Sequence, residues 1–280
     1  MMADVDLARL SAALTYDDAS GIWRSTTVAR VAYPEGDHAT CFALEDGSFW
    51  FRHRNRCILA AVRRFAPGGF ILDVGGGNGY VSRALIDAGF PSVVLEPGPE
   101  GARNAHRTRR IPDVICATLE EAALHQGVVP AVGMFDVLEH IEDDRAVVAQ
   151  LHRVLQPKGY VYLTVPSFNW LWSGSDVSAM HFRRYSQATL AAVFADHFEI
   201  VYMTALFERL VPAFFLARTA PYALGLQQNR SDRQFEAEHR AGGAAGVSLI
   251  ERLLAHEVAR IGRGASLRFG STILLVAQRR

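Results

Sequence analysis

The stretch from Phe70 to Phe90 constrains this chain more than any other. A short apolar run (Phe70, Ile71, Leu72) meets an acid at Asp73 and then the cluster Gly75-Gly76-Gly77-Asn78-Gly79, after which Val81, Leu85 and Ile86 recur at helical spacing. The pattern predicts a strand, a tight loop and a helix. Gly75, Gly77 and Gly79 can adopt backbone angles denied to other residues and let a ligand approach the main chain closely. Such a loop is suited to holding something against a helix N-terminus.

Details of the loop narrow the ligand. A dinucleotide fingerprint wants Gly-x-Gly-x-x-Gly, but the sixth position is Tyr80 counted from Gly75 and Ser82 counted from Gly77. A phosphate-cradling P-loop ends in Gly-Lys-Ser/Thr, where this chain has Asn78-Gly79-Tyr80. What remains is a glycine loop preceded by an acid and followed by a second apolar strand, Val93-Val94-Leu95, that ends in Glu96. An acid roughly 20 residues beyond the loop, at a strand's carboxyl end, is placed to accept hydrogen bonds from ribose hydroxyls. The expected ligand carries a ribose and no triphosphate.

These residues resemble the cofactor motifs of class I S-adenosylmethionine-dependent methyltransferases, in the bacterial branch of small-molecule and lipid-type enzymes. The resemblance covers roughly residues 48–206 plus the last strand, and Gly75-Gly76-Gly77 stands where the family usually has Gly-Cys-Gly. It implies a Rossmann-like, doubly wound α/β fold with a seven-stranded sheet. It also implies that Asp73, Gly75, Gly77 and Gly79 lie against the methionine part of S-adenosyl-L-methionine, and that Glu96 binds the ribose. The family often places an acid after its third strand to bind adenine; Ala117-Thr118 stands there instead, so their backbone groups are the expected contacts.

A second motif supports the first. Ala131 to Phe135 reads as a strand running into Asp136-Val137-Leu138-Glu139-His140, and open parallel sheets bind ligands beyond the carboxyl ends of their strands. The run resembles the family's fourth-strand motif, whose backbone (Asp136, Val137, Leu138) flanks the cofactor and whose histidine often faces the acceptor. His140, with an ordinary pKa of about 6.5, is the first candidate for a base. An amphipathic helix from Asp143 to Leu155, the turn Pro157-Lys158-Gly159 and a strand from Tyr160 to Pro166 complete the phrase.

Beyond Pro166 come Trp170 and Trp172, then His181-Phe182-Arg183-Arg184-Tyr185. A similar His-x-Arg-Arg-Tyr segment recurs in the branch. His181 and Tyr185 are expected either in the acceptor pocket or as a cap that ties the loop to the sheet. Upstream, Phe49-Trp50-Phe51-Arg52-His53-Arg54-Asn55 also resembles a family segment, read either as a lid with Arg52 or Arg54 near a carboxylate or as an amphipathic helix with solvated arginines. His38, Cys41, His53 and Cys57 have spacing that zinc could use, but they lack glycine-rich knuckles, and no metal is required.

Composition frames the organisation. With 280 residues and 50% hydrophobic content the chain can bury a full core, and 29 Lys and Arg against 29 Asp and Glu leave no basic field to gather nucleic acid. Three cysteines at uneven spacing and no apolar leader predict a cytoplasmic protein with reduced thiols. The expected organisation is a helical or lid segment over 1–47, the cofactor-binding core over 48–206, a helical insertion over 207–265 and the last strand over 266–280. Leu7, Leu10 and Leu14 suggest a short helix in the first segment, and Arg103 to Arg110 a solvated helix face.

Residues 206–226 are almost wholly apolar, cut by Pro212 and Pro221, and are expected as a lid, a homodimer contact or a membrane-surface contact. A polar run over 229–238 and Ala241-Gly242-Gly243-Ala244-Ala245-Gly246 predict a mobile linker before a helix at Leu249 to Ile261. The expected activity is methyl transfer to a small-molecule or lipid-like acceptor at oxygen, nitrogen or carbon. Its rivals are a nicotinamide-dependent oxidoreductase and a cofactor-binding regulatory partner without catalysis.

Overall fold

Continuous burial along the central strands sets the architecture. The structure, a computed structural model, describes residues 5–26, 42–226 and 243–280. Nine strands form one sheet among these residues: β1 (Leu14–Asp17), β2 (Ile22–Ser25), β3 (Ile71–Val74), β4 (Ser92–Leu95), β5 (Val114–Cys116), β6 (Val129–Phe135), β7 (Leu155–Pro166), β8 (Phe198–Leu206) and β9 (Thr272–Arg279), in the order β1-β2-β5-β4-β3-β6-β7-β9-β8. The strands from β2 through β7 in that order run parallel, and β9 pairs antiparallel with both β7 and β8. The chain winds outward from β3 in one direction and then returns to its other side at β6. That reversal opens a crevice beyond the carboxyl ends of β3 and β6.

Helices cover both faces. Leu72 and Val74 of β3, with Ile273, Leu275 and Ala277 of β9, pack against Val148 and Leu151 of α4 (Asp144–Val154) and Leu190 of α6 (Gln187–Phe194). Ile71, Leu274 and Val276 point the other way, onto α1 (Phe49–Arg64), α2 (Tyr80–Asp87) and α7 (Gly243–Gly262). Successive side chains of a strand face opposite sides, so a strand covered on both sides reads as a continuous apolar run, as these do. Two shorter helices, α3 (Pro99–Arg103) and α5 (Gly174–Ser178), sit at the carboxyl edge.

The seven-stranded expectation is extended by an N-terminal hairpin. Leu7–Arg9 form a single 3-10 turn, and Leu14 lies on β1 rather than on an amphipathic helix. The hairpin's second strand pairs parallel with β5 (Trp23 opposite Ile115), and Ile22 is fully buried among Val94, Ala102, Ala105, Ile111 and Val114. Three leucines at spacings of three and four mimic a helical stripe, but the apolar edge of β5 gives a strand more to bury. Among the described residues of the first segment, the helical turn beginning at Phe42 lies over the glycine loop. His38, Cys41 and the Tyr33 to Gly36 turn fall outside the described residues, as does the 229–238 run.

The insertion starts as short turns, Glu208–Leu210, Val211–Phe214, the π turn Phe215–Thr219 and Ala220–Ala223, with Pro212 and Pro221 each in a first turn, where a missing N–H costs nothing. Gly243 to Gly246, expected as linker, begin α7, whose Leu254 and Ile261 are buried in the cluster that includes α1. Among the described residues no helix is long and apolar enough to cross a membrane. If the hairpin belongs to the cooperative core, Ile22→Ala should lower stability in urea unfolding by about 2–4 kcal/mol, as for other buried aliphatic truncations. A change below about 0.5 kcal/mol, the level of a neutral surface substitution, would show the hairpin to be an independent appendage.

Candidate active site

Four segments meet beyond the carboxyl ends of β3, β4, β6 and β7. The glycine loop is held from beneath: Asp73 at the end of β3 is buried and accepts a hydrogen bond from Ser82 Oγ at 2.6 Å, tying the strand to the first turn of α2. Burial raises the Asp73 carboxyl to about 6, against the pull of Ser82 and Arg54. Gly75, Gly77 and Gly79 have φ of 68, 53 and 78°, the left-handed region. A Cβ on Gly75 would meet Val137 Cγ2 at 2.7 Å, so the loop and the β6 segment abut there. At Gly77 a Cβ would meet nothing within 4 Å, so the loop is open at that point.

Glu96, following β4, turns into the same opening. Its carboxylate accepts from Gly77 N at 2.8 Å and Gly98 N at 2.6 Å. Burial raises its pKa to about 7 despite those two bonds, and the nearby Asp73 charge pushes the same way. Thr118 follows the adjacent β5, but its N–H is taken by Glu121 Oε2 at 2.8 Å, and Ala117 is buried in the core. The Thr118 N–H is therefore unavailable to an adenine while that bond persists.

The β6 segment supplies the opposite wall. Asp136 has φ 57°, uncommon for a residue other than glycine, and is fixed from three sides. Its N–H donates to Thr164 O at 2.9 Å, Thr164 Oγ1 donates to its Oδ1 at 3.0 Å, and Arg54 Nη1 pairs with its Oδ2. Val137 packs over Gly75, whereas Leu138 is fully buried in the core, so only its backbone can face the crevice. Arg54 comes from α1, stacked over Trp50 at 4.7 Å. The segment expected as either lid or amphipathic helix is a helix that aims one arginine inward, toward a carboxylate.

Arg54 lies within reach of several acids. Burial lowers its pKa to about 10, while Glu45, Asp73 and Glu139 pull it back up. Glu45, from the turn that begins at Phe42, accepts from Asn78 Nδ2 at 3.3 Å and pairs with Arg109 Nη2 at 3.0 Å. Arg109, expected on a solvated face, is only 12% exposed in its side chain and also stacks over Tyr80 at 5.1 Å. Glu45 and Arg109 are site residues that spacing alone could not reveal, because their partners lie 64 positions apart.

His140 and His181, from two different loops, come together beside this wall. The His140 and His181 rings meet edge to face at 4.7 Å. Burial and the neighbouring His181 lower the His140 pKa to about 4, which leaves it neutral and a weak base near pH 7. His181 Nδ1 bonds Asp176 Oδ1 at 2.9 Å, and Arg184 Nε grips the same oxygen at 2.7 Å. Burial works to raise Asp176, but the His181 and Arg184 bonds prevail and hold it at about 2. Beside them Glu139 is buried, and burial raises its carboxyl to about 8.

Tyr185 does not join this group. Its hydroxyl donates to Asp144 Oδ2 at 2.9 Å, and its backbone bonds Pro166 and Phe168, so it ties the acceptor-side loop to the sheet. Of the two expectations for this segment, acceptor pocket or tether, Tyr185 makes the contacts of a tether, while His181 lies beside His140. On the far side of α1, His53 Nε2 bonds Glu257 Oε2 at 2.7 Å and lies 3.4 Å from Cys57 Sγ. Glu257 also accepts from the N–H groups of Phe207 and Glu208, both at 2.9 Å, so it fastens α7 to the turn after β8 as well as to α1.

Together the sheet order, the glycine turn and the strand-terminal acid define a nucleoside-cofactor site of the class I methyltransferase type. The methyltransferase domain family matches residues 50–203, and the chain belongs to that family of S-adenosylmethionine-dependent enzymes. Over 163 residues it is 28% identical to a probable S-adenosylmethionine-dependent methyltransferase of Mycolicibacterium smegmatis, covering 57% of this chain and 62% of that protein. Over 138 residues it is 30% identical to a ubiquinone biosynthesis O-methyltransferase of Cronobacter sakazakii, covering 45% and 57%. The matches thus span about six-tenths of the length of these relatives.

Solved structures agree in fold. A Haloferax volcanii methyltransferase in complex with the Trm112 activator superposes with TM-score 0.55 at 19% identity, covering 88% of this chain and 96% of that one. Haemonchus contortus phosphoethanolamine N-methyltransferase 2, in complex with S-adenosyl-L-methionine, gives 0.53 at 16%, covering 91% and 60%.

Removing the charge of Arg54 while keeping its bulk (Arg54→Met) strands Asp136 and the surrounding acids without their cation. The expected loss is about 3–5 kcal/mol in urea unfolding, as for other broken buried pairs. A loss below about 1 kcal/mol would assign Arg54 the weight of an ordinary surface pair.

Proposed function

We propose that this protein transfers the methyl group of S-adenosyl-L-methionine to a hydroxyl of an apolar small molecule. The observation that carries the reading is Glu96, whose carboxylate meets the open Gly77 position of the glycine turn. The residues present fit the cofactor: a ribose can replace the Gly77 and Gly98 donors at Glu96, and the left-handed turn leaves room for the chain beside it. The crevice is acidic, with Glu45, Asp73, Glu96, Asp136 and Glu139 against Arg54 and Arg109. An acidic, partly dehydrated site favours a cation such as a sulfonium.

When bound, the cofactor supplies an electrophilic methyl carbon on a positively charged sulfur. The protein's work is then to align an acceptor oxygen with that carbon and exclude water. The paired His140 and His181 are the groups we assign to the acceptor's reacting end. Phe168, Trp170, Phe215 and Phe269 form a chain of ring contacts at the same edge of the sheet, with Trp170 within 5.6 Å of Phe168, 6.0 Å of Phe215 and 6.3 Å of Phe269. These rings suit an apolar acceptor body. Thr219 Oγ1 donates to Leu171 O at 3.2 Å, a contact that supports reading the 206–226 turns as its lid. The O-methyltransferases of ubiquinone biosynthesis among the relatives favour oxygen over nitrogen as the atom methylated.

The role of Glu96 has a testable pH signature. Its carboxyl carries a proton below about pH 7 in the free protein, whereas ribose hydroxyls donate to the ionised form. Binding therefore takes up the deprotonated state, and affinity falls as pH falls. Calorimetry should show the Kd for S-adenosylmethionine rising about tenfold from pH 8 to pH 6, by simple linkage. Asp73 titrates in the same window, so Glu96→Gln separates the two: it should weaken binding by about tenfold to a hundredfold and flatten the pH profile. A flat wild-type profile, or binding indifferent to Glu96→Gln, would sink the ribose assignment. Tight NADH binding without S-adenosylmethionine binding would remove the methyltransferase reading itself.

A further inference from the structure

Two clusters of side chains capable of holding a metal occur among the described residues, His53 with Cys57 and Glu257, and Glu139 with His140 and His181. They differ in one decisive respect. In the first, the Glu257 carboxylate is already occupied by His53 and by two backbone N–H groups. In the second, Glu139 is 1% exposed and its Oε2 has no hydrogen-bond partner. A buried polar atom without a partner costs about 1–3 kcal/mol, more if charged, and so points to something that completes it.

We infer that Glu139, His140 and His181 form a binding site for a divalent first-row metal ion of the zinc type. One ligand atom from each residue lies within 4.8 Å of the others. Bonds of about 2.0–2.2 Å to nitrogen and oxygen require donor spacings of roughly 3.4 Å in a tetrahedron, a closure within reach of small side-chain rotations. Two imidazoles and one carboxylate select zinc, cobalt, nickel or iron over magnesium and calcium, which prefer all-oxygen shells.

The surroundings are those of a ligand set. His181 Nδ1 is committed to Asp176, which is itself gripped by Arg184 and by Ser173 N at 2.9 Å, so the ring's Nε2 is the nitrogen turned away from that carboxylate. A carboxylate behind an imidazole is the usual means of fixing a metal-bound histidine's tautomer and direction. His140 is anchored by a hydrogen bond to the Ala179 backbone. The two contributing loops are joined by Phe182 N donating to Glu139 O at 2.8 Å.

Three protein ligands leave a position for an exchangeable oxygen, and here the inference rests on the methyl-transfer reading above for its role. With an acceptor hydroxyl in that position, the ion lowers the hydroxyl's pKa and the O–H proton passes to water. The oxygen's electron pair forms the new C–O bond, the C–S bond breaks, and S-adenosylhomocysteine leaves; the metal's oxidation state does not change.

The test titrates chelator-treated protein with Co²⁺ and follows visible absorption. One equivalent should bind with the intense bands of a four- or five-coordinate ion, displaced by Zn²⁺. Glu139→Gln, His140→Ala and His181→Ala should each weaken uptake by about a hundredfold or more, Asp176→Asn by about tenfold to a hundredfold, and Cys57→Ser not at all. Calorimetric binding of S-adenosylmethionine by the same metal-free variants reports whether they fold. Absence of stoichiometric uptake overturns the inference, as does uptake that survives Glu139→Gln and His181→Ala. A thiolate charge-transfer band lost in Cys57→Ser does the same, placing the ion at the other cluster. Cobalt uptake without S-adenosylmethionine binding would sink the methyl-transfer reading alone, and the converse would sink the metal site alone.

Discussion

The Arg54 to Asp136 pair is the contact on which the site's geometry depends. It crosses from the interior of α1 to the loop after β6 and holds a non-glycine residue at φ 57°. A backbone held in the left-handed region costs of order 1–3 kcal/mol and persists only when its surroundings over-determine it. Here Thr164 fixes both the N–H and the carboxylate from the neighbouring strand, and Arg54 closes the remaining side. The turn then delivers Val137 over Gly75 and leads into the short turn that carries Glu139 and His140.

That arrangement explains why α1 belongs to the site rather than merely covering it. Its outer arginines behave as surface groups, with Arg52 and Arg56 pairing with Glu251 on α7. Its inner face carries Ile58 and Val62 into the core and Arg54 into the crevice. On the other face of the same helix, His53 reaches Glu257, whose carboxylate satisfies the N–H groups at the strained Phe207 (φ 62°). One helix therefore anchors the cofactor side, the sheet and the insertion at once.

The parts legible in sequence were those written locally. The glycine turn, Asp73, Glu96 and the Asp136 to His140 run each announce themselves within a few residues, because a strand end, a left-handed turn and a strand-terminal acid leave short-range marks. What was not legible depends on distance. Glu45 with Arg109, Arg54 with Asp136 and His181 with Asp176 are made by tertiary packing, and an arginine in a basic run looks solvated until its partner is known. The N-terminal hairpin is not legible for a related reason. Leu7, Leu10 and Leu14 satisfy a helical period, but a 3-10 turn and the strand β1 bury them in the main core instead.

The crevice's acids carry a further consequence for stability. Asp73 and Glu96 have pKa values of about 6 and 7 in the folded protein, above the unfolded carboxylate range of about 4. An acid whose folded pKa is raised contributes stability that is complete below its unfolded value and is lost as pH rises through its folded value. These two acids thus favour the protonated state and destabilise the fold as pH rises through about 6 and 7. A cationic ligand reverses that order, since it favours the ionised carboxylates that the unliganded fold resists. Once those two carboxyls ionise, the crevice concentrates negative charge that a sulfonium would offset on binding.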